Sequence, residues 1–298
     1  MIHHKPVILI TGCSSGIGLA LARALWSRGK YRVVATSRKA SLEVLYELFS
    51  DDERFWIRSL DVTDAKERET LTEEINSKWG GVDILINNAG ISYRGTVEHM
   101  DEVSELHQMN TNYLGPMALI RLVLPHMRKK GRGKIINISS VSGMLAMPTM
   151  GSYSASKYAL EGASESLWYE MRPLGIDVTL VQPGFIHSSS FRNVYRPKAA
   201  QLCDLNGEAP YCDYYRSMEP FIEKMMSWSQ VTPEKIASVV LNVISHSRPP
   251  LRAPATLDAL FFHLLRRFLP RRLLHNVLFN LLPGARLWAK KYSHARKN

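Results

Sequence analysis

The stretch Thr11-Gly12-Cys13-Ser14-Ser15-Gly16-Ile17-Gly18 decides the fold. Just before it, residues 7–11 form a short apolar run with strand character. Just after it, residues 17–28 carry Leu21, Ala24 and Leu25 at helical spacing. A glycine-rich turn between strand and helix lets the backbone approach a pyrophosphate. The helix N-terminus then offers free N–H groups and the positive end of its dipole. Such a turn can also be a plain tight connection, but its place between a first strand and a first helix favours the binding reading. The spacing is Gly-x3-Gly-x-Gly rather than the commoner Gly-x-Gly-x2-Gly.

Outward from this turn, strands and helices alternate. Residues 32–36 form a β-branched run, 41–49 a helical stretch and 55–60 a strand. Residues 64–79 read as a helix capped by Thr63 or Asp64, and 82–86 as a buried strand. Residues 101–130 read as one long helical region, broken only mildly at Gly115-Pro116. A strand at 134–139, a helix at 152–172 and a strand at 176–181 follow. Short strands apolar on both faces predict an α/β fold, a doubly wound parallel sheet of Rossmann type with helices on both faces. No repeat or linker divides residues 1–256, which are expected to form one domain. The pattern thins between Gly184 and Val231. An aromatic-rich lid is expected at about 185–230, then a helix at 232–247 and an edge strand within 250–256. Residues 257–298 form a basic amphipathic helical tail.

Two further stretches bear on chemistry. The second strand runs into Ser37-Arg38-Lys39, with no acid at the point where a ribose 2′-hydroxyl would be bound. A basic residue there neutralises a 2′-phosphate instead, which favours NADP(H) over NAD(H). Tyr153-Ser154-Ala155-Ser156-Lys157 sets a phenol and an ammonium one helical turn apart. The lysine is expected to favour the phenolate and so let the tyrosine exchange a proton near neutral pH. Alone this pair is common on exposed helices, and its weight depends on the rest of the chain.

The motifs taken in order resemble the short-chain dehydrogenase/reductase family in its single-domain branch. Besides the glycine loop and the Tyr-x3-Lys pair they are Asp61-Val62, Asn87-Asn88-Ala89-Gly90, Asn112-Tyr113-Leu114-Gly115, Ser139-Ser140 and Pro183-Gly184. Within the family the chain is most similar to hydroxysteroid and retinol dehydrogenases, through Cys13-Ser14-Ser15, Ala159-Leu160-Glu161-Gly162 and residues 242–252.

The resemblance implies a role for each of these residues. Tyr153 is the general acid or base, and Ser140 donates to the same substrate oxygen. Lys157 tunes the phenol and binds ribose hydroxyls. Asn112 holds a water that refills the proton, with Asn110 just before it in the chain. Gly12, Ser14, Ser15, Gly16, Ile17 and Gly18 cradle the cofactor phosphates, and Ser37 and Arg38 meet the 2′-phosphate. Asp61 contacts the adenine and Val62 flanks it, while Asn88, Ala89 and Gly90 line the cofactor. Pro183, Gly184, Ile186 and Ser188 pass the nicotinamide. Ser188 stands where the family usually has threonine, a departure that keeps the hydroxyl.

Composition narrows the rest. Of 298 residues, 45% are hydrophobic and 22% charged, ordinary values for a globular protein. The net charge of +11 belongs to the tail. Residues 259–298 hold nine Lys/Arg and no acid, while the first 258 hold 29 basic and 27 acidic residues. Three scattered cysteines, Cys13, Cys203 and Cys212, predict neither a disulfide framework nor a metal site, and fit a reducing compartment. The first residues lack a long apolar run, so no cleaved leader is expected.

The lid is crowded with aromatics and methionines, among them Phe185, Phe191, Tyr195, Met218, Met226 and Trp228, and Met144, Leu145 and Met147 add to them. They point to a large apolar substrate such as a steroid, retinoid or lipid carbonyl. Neither apolar stretch of the tail is long enough to cross a bilayer. The tail either lies on an anionic membrane surface or docks on the body. The charge comes with no nucleic-acid module.

The expected protein is therefore a cytoplasmic, homo-oligomeric NADP(H) oxidoreductase of lipophilic alcohols and ketones. The alternatives are a 3-oxoacyl reductase and a non-catalytic NADP(H)-binding sensor.

Overall fold

The computed structural model describes residues 5–187, 194–205, 210–286 and 288. Its strands are short apolar runs that divide their side chains between two covered faces. In β1 (Val7–Ile10) all four residues are buried. Ile8 and Ile10 enter one core, and Val7 and Leu9 enter the other. Side chains alternate across a pleated strand, so a strand covered on both sides reads as unbroken hydrophobicity.

The chain continues through α1 (Gly16–Arg28), β2 (Arg32–Ser37), α2 (Glu43–Leu48), β3 (Phe55–Ser59), α3 (Ala65–Trp79) and β4 (Ile84–Asn87). Then come α4 (Glu102–Met109), α5 (Gly115–Lys130), β5 (Gly133–Ile138), α6 (Gly151–Met171) and β6 (Ile176–Gln182). The lid region holds α7 (Lys198–Leu205) and α8 (Cys212–Trp228). α9 (Pro233–Ser245), β7 (Arg252–Pro254), α10 (Leu257–Phe268) and α11 (Arg271–Leu281) follow.

The seven strands form one parallel sheet in the order β3-β2-β1-β4-β5-β6-β7. α1 and α9 pack on one face, with Leu21, Leu25, Val240 and Ile244 against Ile8 and Ile10. α3, α5 and α6 cover the other, with Ile75, Val123 and Leu167 in its core. This is the doubly wound sheet expected from the alternation. The order reverses between β1 and β4, which opens a crevice at the carboxyl ends of those strands.

The long helix expected at 101–130 is divided. A π-helical turn at Asn110–Leu114 separates α4 from α5. The extra residue turns the Asn112 side chain inward, as such bulges do at functional sites. Gly115 follows because a Cβ there would lie 2.6 Å from the Val62 carbonyl oxygen. The cap before α3 is Asp64, whose carboxylate accepts from the Glu67 N–H.

The cysteine expectation is overturned. Cys203, in the last turn of α7, and Cys212, the first residue of α8, are disulfide-bonded, with Cα atoms 5.2 Å apart. The two are only nine residues apart, and the meeting of α7 with α8 brings them within bridging distance.

A polar thread crosses the centre of the sheet. Asn87 Nδ2 donates to Asn137 Oδ1 at 2.8 Å, and Asn137 Nδ2 donates to Ser164 Oγ at 2.9 Å. All three residues are buried, so each depends on the others for satisfaction. Asn137→Ala leaves two buried partners unsatisfied. It is expected to lower unfolding stability by about 2–4 kcal/mol in denaturant titration with an unchanged m-value.

Candidate active site

The glycine loop sits at the crevice. Gly12 and Gly16 have φ of +71° and +55°, the left-handed region that glycine occupies without strain. A Cβ on Gly12 would meet Ala89 Cα at 2.8 Å, and one on Gly18 would overlap the Gly12 carbonyl oxygen. Thr11 Oγ1 accepts from the N–H groups of Asn88 (3.0 Å) and Ala89 (2.9 Å). Asn88 Nδ2 donates to the carbonyls of Thr11 and Gly12, both at 2.9 Å. The Asn88 amide therefore buttresses the loop. Ser15 makes no side-chain cap on α1, whose first turn holds no acid. Nothing lies within 4 Å of a Cβ built on Gly16. Uncapped N–H groups facing open space are what an anionic phosphate needs, so the loop fits one. Cys13, inside the same loop, is buried, and burial pushes its thiol up to about 12.

At the end of β2, Ser37 is buried and Arg38 exposed, and both line the same cavity as the loop. Asp61 and Val62 line it too. Asp61 Oδ1 accepts from the Thr63 N–H (2.9 Å) and hydroxyl (2.7 Å). Burial works against the charged carboxylate, but the Thr63 bonds and the nearby Arg38 charge bring its pKa below the usual value.

The catalytic candidates converge beyond β5. Thr149 has φ +62°, a costly conformation for a β-branched residue. It turns the chain into α6, which presents Tyr153 and, one turn on, Lys157. The Tyr153 phenol lies near Ser140, which stands just after β5, and the serine hydroxyl favours the phenolate. Ser140 Oγ also accepts from the Ser142 N–H at 3.1 Å.

The phenol does not behave as the Tyr-Lys spacing alone implied. Burial raises its pKa, and the neighbouring Ser140 hydroxyl only partly offsets this. Lys157 is turned to the end of β5. Its Nζ donates to the Ile138 carbonyl at 2.8 Å and lies 5.9 Å from the centre of the tyrosine ring. Burial lowers the Lys157 pKa to about 8, although Glu161 favours the charged form.

Asn112 is buried and fully engaged. Its Nδ2 donates to the Ile91 carbonyl (2.9 Å) and Ser156 Oγ (3.0 Å), and its Oδ1 accepts from the Ile91 N–H (2.9 Å). It stands near the lysine: a Cβ on Gly90 would lie 3.3 Å from Asn112 Oδ1 and 3.9 Å from Lys157 Nζ. Asn110 opens the π turn.

The sequence-predicted catalytic and cofactor residues among the described ones line one continuous cavity of about 930 Å³, except Gly18, Asn110 and Asn112, which are not part of its wall. One end holds the glycine loop, Arg38 and Asp61. The other holds Ser140, Tyr153 and an apolar wall of Met147, Met150, Phe185, Ile186, Ile222 and Met226. Pro183 and Gly184 lie between them. Ser188 and Phe191 fall outside the described residues.

Four contributors carried no legible signal. Arg94 and His107 line the cavity, and they enter it only through the folding of 90–112 over the sheet edge. Thr256 stands just before the tail, and Asp258 lies in its first turn. Thr256 Oγ1 accepts from the Gly184 N–H and Asp258 Oδ2 from the Phe185 N–H, both at 2.9 Å. Thr256 caps α10 through the Ala259 N–H, and its second partner lies 72 residues away.

The family described as short chain dehydrogenase matches residues 6–199. The chain belongs to that family. It is an oxidoreductase by that membership, and its relatives are consistent with this. It is 37% identical over 247 residues to a 3-ketodihydrosphingosine reductase of Bacteroides thetaiotaomicron, covering 83% of this chain and 86% of that one. It is 32% identical to retinol dehydrogenase 8 of Homo sapiens, covering 82% and 80%. A crystal structure of a short-chain dehydrogenase from Streptomyces avermitilis superposes with a TM-score of 0.75 at 32% identity, covering 89% and 93%. Among solved proteins of this fold, some are complexes with NAD and others with NADP.

The buried lysine makes a testable statement about stability. Its proton leaves the folded chain near pH 8 but stays on the unfolded chain up to about 10.4. Between those values the unfolded state binds more protons, so this group makes stability rise with pH. Lys157→Met removes the effect. Raising the pH from 7 to 10 is expected to shift the stability difference by about 2 kcal/mol in favour of the lysine form, read by denaturant titration at each pH.

Proposed function

We propose that the chain is an NADP(H)-dependent oxidoreductase that interconverts a bulky lipophilic alcohol and its ketone or aldehyde. The observation that carries this reading is that Ser140, Tyr153 and Lys157 line one cavity between a polar cofactor arm and an apolar arm. When bound, the nicotinamide supplies or accepts the hydride.

The residues of the chain do the rest. A substrate oxygen placed at Tyr153 and Ser140 meets two hydroxyls. Ser140 donates to it and stabilises the charge that develops. Tyr153 gives it a proton in reduction and takes one in oxidation. Lys157, anchored on Ile138, presents its remaining N–H donors towards Gly90 and the cofactor arm, where ribose hydroxyls would lie. Asn112 keeps Ile91 and Ser156 in place beside it. The glycine loop and the α1 N-terminus hold the pyrophosphate. Arg38, exposed beside buried Ser37, takes the 2′-phosphate.

The substrate class rests on the apolar arm. Six large apolar side chains face it, which supports a hydrophobic body attached to the reacting oxygen. The relatives named for a ketosphingoid base and for retinol act on molecules of that kind.

Tyr153→Phe is expected to reduce turnover of NADPH with long-chain ketones and retinoids by about 10²–10⁴-fold, while NADPH binding measured by fluorescence stays near normal. Turnover at the parent rate would remove Tyr153 from the acid role. Arg38→Asp is expected to shift the NADPH-over-NADH ratio of kcat/KM by roughly ten- to a hundredfold towards NADH, the worth of one charge-assisted phosphate contact. An unchanged ratio would refute the 2′-phosphate assignment.

A further inference from the structure

The two C-terminal helices are apolar on the wrong side for a domain that ends in water. α10 seats one face on the body. Ala259 is buried, Phe262 packs with Val141 and Met144, and Arg266 donates to the Met144 carbonyl. The opposite face carries Leu257, Leu260, Phe261, Leu264 and Phe268, each between 43% and 84% exposed. Their spacing of three, four, seven and eleven from the first places them on one stripe. α11 adds a second exposed apolar stripe. Leu274 is buried, and Leu273, Val277 and Leu281 form an exposed stripe at i, i+4 and i+8. A contiguous exposed apolar surface of this kind marks an interaction site.

Charge selects the partner. Residues 259–298 hold nine Lys/Arg and no acid, and Arg267 and Arg272 are exposed beside the stripes. No helix among the described residues is long and apolar enough to cross a membrane. A second copy of the chain brings the same cations to the same face, with no carboxylate in 259–298 to answer them. An anionic lipid surface offers both an acyl layer for the stripes and phosphates for the arginines.

We propose that α10 and α11 form a docking surface that lies flat on a bilayer carrying anionic lipid. Phe261, Leu264 and Phe268 enter the headgroup boundary while the arginines extend their charge to the phosphates. The proposal stands on exposure and charge alone and is independent of the reaction assigned to the cavity.

Co-sedimentation of the full chain with vesicles tests it. Several-fold more protein is expected to pellet with phosphatidylcholine containing phosphatidylserine than with phosphatidylcholine alone, and the excess should fall as salt is added. Phe261→Glu combined with Phe268→Glu alters only exposed positions. It should bring pelleting down to the level seen without vesicles while the unfolding midpoint is kept. Arg267→Gln with Arg272→Gln should reduce the preference for phosphatidylserine. The proposal fails if the parent chain stays in the supernatant with both vesicles, or if the double glutamate variant pellets like the parent. It also fails if light scattering shows a dimer that the glutamates dissociate while neither protein binds vesicles, for then the face joins two copies.

Discussion

An ammonium buried in the middle of an α/β sandwich constrains everything around it. Lys157 is 5% exposed, and only specific partners make its charge tolerable. The Ile138 carbonyl at the end of β5 accepts one of its hydrogen bonds. Glu161, one turn further along α6, supplies the countercharge. Glu161 is itself buried and is satisfied from two sides, by Gln182 Nε2 at 2.9 Å on β6 and by Arg252 Nε at 3.0 Å on β7. One lysine thus draws α6, β5, β6 and β7 into a common register. The edge strand that looks optional in sequence is tied to the centre of the site through two carboxylates, since Arg252 also pairs with Glu165.

The same constraint governs the cofactor arm. A parallel sheet whose strand order reverses between β1 and β4 leaves a gap at its carboxyl edge, and Thr11 and Asn88 close it from below by cross-bonding the two strand ends. The glycine loop can remain bare and open above because this support lies underneath. Rigid scaffolding and exposed N–H groups are separate requirements, and here different residues meet them.

Much of this was legible in the residues. Strands such as 7–10 are buried on both faces, so their apolar character is unbroken and identifies them. The glycine loop, Ser140, Tyr153 and Lys157 lie within local motifs whose spacing is fixed by a single turn or helix. What escaped were features that depend on distant partners. The π turn at Asn110–Leu114 exists because Asn112 reaches Ile91 and Ser156. The behaviour of the phenol was misjudged because spacing does not say which way an ammonium points, and Lys157 points to a strand end. The Cys203–Cys212 bridge depends on how α7 meets α8. Thr256 and Asp258 act across more than seventy residues of chain.

That last pair gives the tail an evolutionary dimension. A Cβ on Gly184 would fall on the Asp258 carboxylate, so the two positions share one small volume. Residue 184 cannot grow while the Asp258 carboxylate stays in place. A larger residue at 184 is admissible only in a lineage whose residue 258 has shortened, and a chain that loses α10 frees 184 from its restriction to glycine. Covariation between a loop within the residues that the family matches and a helix beyond them is the mark that descendants of this chain should carry.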